Sequence, residues 1–106
     1  YSGIYIIGSR AKISGNIVGL DVSGTSALPN SATGISLNYL TDSLVGTDGD
    51  GVSDSVERNI VSANGAAGIA AFTVSNTRIA GNWIGLDASG SQLLANTTQG
   101  IFFHYG

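Results

Sequence analysis

Three aspartates each end a recurring four-residue marker, and their spacing is the first feature of the chain that suggests chemistry. The segments are Val18-Gly19-Leu20-Asp21, Val45-Gly46-Thr47-Asp48 and Ile84-Gly85-Leu86-Asp87. If they stack like neighbouring strands, Asp21 and Asp87 lie about 10 Å apart, a separation that glycosidases use for paired carboxylates. Stacked carboxylates also favour a bound cation. The Asp-x-Ser-Gly pattern after Leu20 and after Leu86 favours a third interpretation, in which each Asp caps its own turn.

An acidic segment from Gly46 to Glu57 is a second candidate site. It resembles the calcium loop of EF-hand, dockerin and thrombospondin type-3 modules. The resemblance implies metal ligands at Asp48, Asp50, Val52 (through its carbonyl), Asp54 and Glu57. Gly46 stands at the first loop position, where Asp is usual, and no helices are predicted on either side. We therefore expect either a weakened calcium site, unless Asp42 or a neighbouring segment adds an oxygen, or an acidic turn stabilised by its own hydrogen bonds.

Trp83 takes the place of Ile17 in an otherwise similar segment. An outward-facing Trp can stack on a sugar ring, and an inward-facing one fills the core; the sequence leaves both open. His104 is the only histidine, which excludes a multi-histidine metal site within one chain. These side chains do not combine into an acid, a base and a substrate cleft, so we assign no catalytic residue.

Composition narrows the classes of partner. The 106-residue chain has a net charge of −3, and only 10% of its residues are charged. This argues against a nucleic-acid partner, and the short apolar runs argue against membrane insertion. Cysteine is absent, so there are no disulfides, and the chain starts at Tyr1 without a leader. We expect a processed chain, or a piece of a longer one, that is secreted or displayed on a cell surface.

Internal repetition dominates the sequence. Residues 13–35 and 79–101, offset by 66, are identical at 12 of 23 positions. A Gly-Ile pair recurs at 3–4, 34–35, 68–69 and 100–101, with spacings of 31, 34 and 32. This pattern predicts three full repeat units and the start of a fourth, because a repeat at such a period builds one structural unit each time.

The repeat units consist of short strands between turn residues. Apolar residues alternate in Ile4-Tyr5-Ile6 and Ile35-Ser36-Leu37, and no stretch keeps a helical period. One unit cannot bury its inner face alone, so we predict that equivalent strands pair in parallel from unit to unit. Asn16, Asn64 and Asn82 are interpreted as equivalent corner residues linked in a ladder.

The phrases ISGNIVGLDVSG, RNIVSANGAAGI and IAGNWIGLDASG resemble the repeats of the pectate-lyase-like superfamily, especially the repetitive forms in bacterial surface and secreted proteins. The resemblance covers nearly the whole chain. It implies an all-β right-handed parallel β-helix, a solenoid of about three coils of 31–34 residues. We expect residues 1–106 to form a single module, either complete or a segment of a longer solenoid. Because that superfamily includes lyases, glycosidases, adhesins and structural solenoids, the resemblance does not select one function.

Aromatic and apolar residues concentrate at both ends of the chain, and neither end has a polar cap. Exposed strand edges recruit other chains, so we predict self-association through the coil ends or continuation into further coils. The predicted contacts are Tyr1, Ile4, Tyr5, Ile101, Phe102, Phe103 and Tyr105. The leading hypothesis is a non-catalytic extracellular structural module that assembles end to end into a filament. The alternatives are a carbohydrate-binding or adhesin module with a polysaccharide partner, and a fragment of a polysaccharide lyase or glycoside hydrolase.

Overall fold

A computed structural model describes residues 2–48 and 54–104. Within these residues the chain forms ten short strands and one four-residue helix, so the prediction of an all-β chain is confirmed. The strands are β1 Ile4–Ser9, β2 Lys12–Ile13, β3 Ile17–Val18, β4 Ile35–Thr41, β5 Leu44–Gly46, β6 Ile60–Val61, β7 Ile69–Phe72, β8 Arg78–Ala80, β9 Trp83–Ile84 and β10 Ile101–His104, and the helix is α1 Asp54–Glu57.

The strands form three sheets in which each strand pairs with the third strand after it. The first sheet has the order β1-β4-β7-β10, the second β2-β5-β8 and the third β3-β6-β9. All of these pairings are parallel. The strands recur once per repeat unit, so we number the units from their Gly-Ile pairs: the first is 3–33, the second 34–67 and the third 68–99. Strand β10 begins a fourth.

The four Gly-Ile pairs lie in register, as the repeat predicts. Ile35 of β4 pairs with Ile4 on one side and with Ile69 on the other, and Ile69 pairs with Ile101. A second column two residues later joins Ile6, Leu37, Ala71 and Phe103. Ile35, Leu37 and Ile69 are fully buried. Burying one such side chain stabilises the fold by about 1.5–3 kcal/mol, so these inner columns supply much of the folding free energy.

The other two sheets complete the core. In the second sheet Val45 lies between Ile13 and Ile79, and in the third Val61 lies between Val18 and Ile84. Val45 and Val61, both in the middle unit, are fully buried. Ile13, Val18, Val45 and Val61 belong to the same buried cluster as Ile35, Leu37 and Ile69 of the first sheet, and Ile79 and Ile84 pack against it. The core therefore lies between the three sheets.

The predicted alignment of the three aspartate markers is wrong for the middle unit. Val45 and Gly46 pair with Ile79 and Ala80 in the second sheet, whereas Val18 pairs with Val61 in the third. The middle unit has its long connection between β5 and β6 and a short one after Val61, the reverse of its neighbours. Register follows the buried apolar residues, so the similarity of the Val45 marker to the other two does not reflect structural equivalence.

Candidate functional site

Two columns of asparagine carboxamides connect the repeat units. In the first column the Nδ2 of Asn16 donates to Oδ1 of Asn59 at 3.1 Å, and the Nδ2 of Asn59 donates to Oδ1 of Asn82 at 2.9 Å. The backbone N–H groups of Asn16 and Asn59 donate to the same two oxygens, both at 3.1 Å. Asn59 is fully buried. A buried carboxamide is stable only when bonded, so this column ties the three units together at one corner.

The second column consists of Asn30, Asn64 and Asn96. The Nδ2 of Asn30 donates to Oδ1 of Asn64 at 2.9 Å, and the Nδ2 of Asn64 donates to Oδ1 of Asn96 at 3.0 Å. Asn64 is also fully buried. The two columns, here called the first and second asparagine ladders, run in the same direction: the earlier residue donates and the later one accepts.

The predicted grouping of Asn16, Asn64 and Asn82 is therefore wrong for its middle member, because Asn59 occupies that place. In the outer units the two ladder residues lie 14 positions apart, at 16 and 30 and at 82 and 96, but in the middle unit they are 59 and 64. The short connection after Val61 removes the intervening residues. The spacing of 14, which the first and third units share, is the signal that could have revealed the second ladder.

Both ends of the inner columns are open. Ile69 and Ala71 are 0% and 1% exposed, whereas Ile101 and Phe103, which continue the same columns, are 39% and 53% exposed. At the other end, a cavity of about 340 Å³ is lined by residues of the first unit alone. Its lining includes Gly3, Ile4, Val18, Asn16 and Asn30. The core and both ladders thus reach the surface at the ends of the stack.

The predicted assembly residues occupy two different faces of the first sheet. Ile4, Ile101 and Phe103 belong to inner columns, whereas Tyr5 and Phe102 share an outward column with Ser36 and Ala70. Tyr5 is 65% exposed. Phe102 clusters with Phe72 and His104, with ring centroids 6.0–6.4 Å apart. Tyr1 and Tyr105 lie outside the described residues.

Asp21 and Asp87 each accept hydrogen bonds from their own turn. Ser23 donates its hydroxyl to Asp21 at 2.6 Å, and Ser89 donates its hydroxyl to Asp87 at 2.7 Å. These hydroxyl bonds, with smaller contributions from backbone N–H groups, hold the pKa of both carboxyls below the ordinary value. Asp48 follows a different sheet and does not continue this column. The geometry agrees with turn capping.

The acidic segment is described only in part. Asp48 is exposed, and the carbonyl of Glu57, the last residue of α1, accepts a hydrogen bond from Gly15 N–H at 3.0 Å. Asp50 and Val52 lie outside the described residues, as does the side chain of Asp54. The described residues contain no group of three or more metal-ligating side chains. Calcium binding therefore stays a prediction.

Trp83 is half-buried beside two neighbours. The guanidinium carbon of Arg58 lies 3.9 Å from the centroid of its ring, a cation–π contact. A Cβ built on Gly90 would lie 2.9 Å from the ring, so the turn after Asp87 packs closely against it. The ring therefore packs between Arg58 of the second unit and the turn at Gly90 of the third. Its contact with a sugar stays a prediction.

No protein-family model, no curated protein and no solved structure shows a significant match to the chain. Within residues 2–48 and 54–104, no helix has the length and apolar character needed to cross a membrane.

Proposed function

We propose that the chain is a non-catalytic structural module of a right-handed parallel β-helix of the pectate-lyase-like type, working outside the cell. Its role is to extend a stack of coils through contacts at its two ends. The period-three strand order of the sheets supports this proposal, as do the two asparagine ladders, because both features repeat once per unit and need a neighbouring unit to be complete.

The observation that carries the proposal is that equivalent inward-facing side chains are buried inside the stack and exposed on β10. The same side-chain position is 0% exposed at Ile69 and 39% exposed at Ile101, and the next inner position is 1% exposed at Ala71 and 53% at Phe103. Among the described strands, β10 also presents an unpaired edge. Apolar side chains beside an unpaired edge favour strand addition, since a partner supplies both burial and backbone hydrogen bonds.

In the purified chain, the neighbour is a second copy whose β1 pairs with β10. Sedimentation velocity over a range of concentrations, with electron microscopy, measures this assembly. We expect species that grow with concentration, and loss of this growth in the double variant Ile101→Asp with Phe103→Asp. Tyr39→Asp is the matched control, because Tyr39 is 69% exposed but lies on β4, away from both ends. A monomer at every concentration, or equal loss of assembly in the control, contradicts the proposal.

Calcium binding by residues 46–57 is a further part of the proposed function. A ligand that binds only the folded state raises the melting temperature by mass action, so calcium is expected to raise it and magnesium to do so less. Glu57→Gln is expected to abolish the rise. An unchanged melting temperature, together with no heat in a calorimetric titration, refutes this part.

A carbohydrate-binding module is the second candidate. The rings of Phe72, Phe102 and His104 form a cluster on the outward columns of the first sheet, and aromatic rings of this kind stack on sugars. Co-sedimentation with insoluble polysaccharides tests it. Binding that Phe102→Ala removes, and that Tyr39→Ala leaves intact, would favour this candidate over the structural module.

A further inference from the structure

We infer that the cavity at the open end of the first unit is a seat for a preceding repeat unit that carries asparagine at both ladder positions. The polarity of the ladders allows this unit to join in one orientation only. This inference rests on the proposed function and identifies the partner at one of the two ends.

The first step is the direction of the ladders. Asn59 receives two hydrogen bonds at Oδ1, from the N–H and the Nδ2 of Asn16, both at 3.1 Å. Asn64 likewise receives one from Asn30 at 2.9 Å. Within the described residues nothing donates to Oδ1 of Asn16 or of Asn30. Both residues line the cavity, so the first unit offers two carboxamide oxygens there as acceptors.

The second step is the chemistry of the occupant. Inside the stack, each acceptor oxygen receives a hydrogen bond from the Nδ2 of an asparagine one unit earlier. Asn59, Asn82 and Asn96 also receive that residue's backbone N–H. Aspartate has no side-chain donor when ionised, and glutamine places its carboxamide one carbon further from the backbone. Ile4 and Val18 line the same cavity and require an apolar inward residue above them. The fitting occupant is therefore a repeat unit like those within the chain.

The third step is orientation. Contact between two copies related by a two-fold axis would bring acceptor oxygens against acceptor oxygens, so it is disfavoured. A second copy placed in the same direction pairs its β10 with β1 but leaves both ladders incomplete, since its last layer holds only β10, while its second and third sheets end at β8 and β9. Its Asn82 would lie two strand spacings from Asn16, about 10 Å, too far for a hydrogen bond. Continuing the ladders therefore needs a complete repeat unit, in addition to the β10–β1 pairing that a second copy supplies.

The test is a prefixed chain. A duplicate of residues 68–99 is placed directly before residue 3, which reproduces the natural junction of Gln99 with a Gly-Ile pair. The duplicate then carries its own Asn82 and Asn96 above Asn16 and Asn30. The control prefix is the same segment with Asn82→Ala and Asn96→Ala in the duplicate alone. Thermal unfolding is measured for the original chain and for both prefixed chains.

We expect the asparagine prefix to raise the melting temperature over the original chain. The alanine prefix should melt roughly 3–5 °C lower than the asparagine prefix for each ladder hydrogen bond that it cannot form. Equal melting of the two prefixed chains overturns the inference but leaves the proposed function standing. If neither prefix stabilises the chain, the proposed function fails as well.

A second measurement guards against a prefix that does not fold. Asn16→Ala is introduced in the original chain and in the chain with the asparagine prefix. We expect a larger drop in melting temperature in the prefixed chain, because only there does Oδ1 of Asn16 also accept hydrogen bonds. An equal drop in the two chains overturns the inference.

Discussion

Gly19 is the most sensitive probe of stacking between repeat units. It has a φ of +96°, and a Cβ built on it would lie 1.9 Å from the carbonyl oxygen of Ser62 in the next unit. Gly85 is its repeat equivalent and has a similar φ of +87°, but the nearest atom to its Cβ would be 3.9 Å away, on Ala95. Both glycines thus have a positive φ that strains any other residue, but only Gly19 has the backbone of the next unit packed against it.

The cost of Gly19→Ala has two parts. Placing a residue with a Cβ at positive φ costs about 1–2 kcal/mol, and this part applies equally to Gly85→Ala. The overlap with Ser62 requires a backbone shift of at least roughly 1 Å, which breaks the 3.0 Å hydrogen bond from Ser62 N–H to Val18 O. Breaking that bond and the packing around it costs about 2 kcal/mol more. Gly19→Ala should therefore destabilise the chain by roughly 3–4 kcal/mol.

Urea unfolding of the two variants, followed by far-ultraviolet circular dichroism, measures both costs. We expect Gly19→Ala to unfold well before Gly85→Ala, with a difference of about 2 kcal/mol in unfolding free energy. Equal destabilisation by both substitutions would refute the reasoning, because it would mean that no unit lies over Gly19. Gly100→Ala, where the nearest atom is an Ile84 methyl at 3.4 Å, serves as a control for substitution without strain.

The remaining predictions concern polar contacts. Asn59→Asp should lower the free energy of unfolding by roughly 3 kcal/mol at pH 7, because the buried carboxylate would face the carbonyl of Ile13 and Oδ1 of Asn82. Burial raises the pKa of the new carboxyl, so at lower pH it becomes neutral and can donate a hydrogen bond. Denaturant titrations should therefore show that part of the lost stability returns as pH falls. The pKa of Asp87 is lowered in the folded state, so its carboxylate stabilises the fold above about pH 4, and this contribution is lost as pH falls through the folded pKa. Asp87→Ala should therefore make the unfolding free energy depend less on pH in that range. Arg58→Met should lower stability by about 1 kcal/mol and shift the fluorescence of Trp83 to longer wavelength as the ring gains contact with water.

Much of the fold was predictable because short-range and repeat signals agreed. The alternation in Ile35-Ser36-Leu37 identifies a strand, and the spacing of the Gly-Ile pairs identifies which strands pair and in which register. The middle unit was less predictable. Its long connection lies between β5 and β6, whereas the outer units have theirs after β3 and β9. The Val45 marker resembles the Val18 marker in sequence but lies in the second sheet, and the Val18 marker lies in the third. Burial of Val45 and Val61 decides the true register, and burial cannot be read from a four-residue match.

The candidate site was predicted in outline. The apolar ends were evident from the aromatic residues, but the sequence does not distinguish Ile101 and Phe103, which continue the inner columns, from Phe102, which faces outward. The corner role of Asn16 and Asn82 was predicted, whereas the second ladder depends on contacts between residues more than 30 positions apart, such as Asn30 and Asn64. Those contacts follow from the register and need it to be known first.

Scalar couplings across hydrogen bonds, measured by NMR on labelled protein, test the stacking of equivalent segments most directly. We predict couplings from the N–H of Ile4 to the carbonyl of Gly34, from Ile35 to Gly68 and from Ile69 to Gly100, matching hydrogen bonds of 2.8–2.9 Å. Such a series arises only if equivalent segments lie side by side in parallel. Couplings that instead connect β1 to β2 or β4 to β5 as antiparallel neighbours would contradict it.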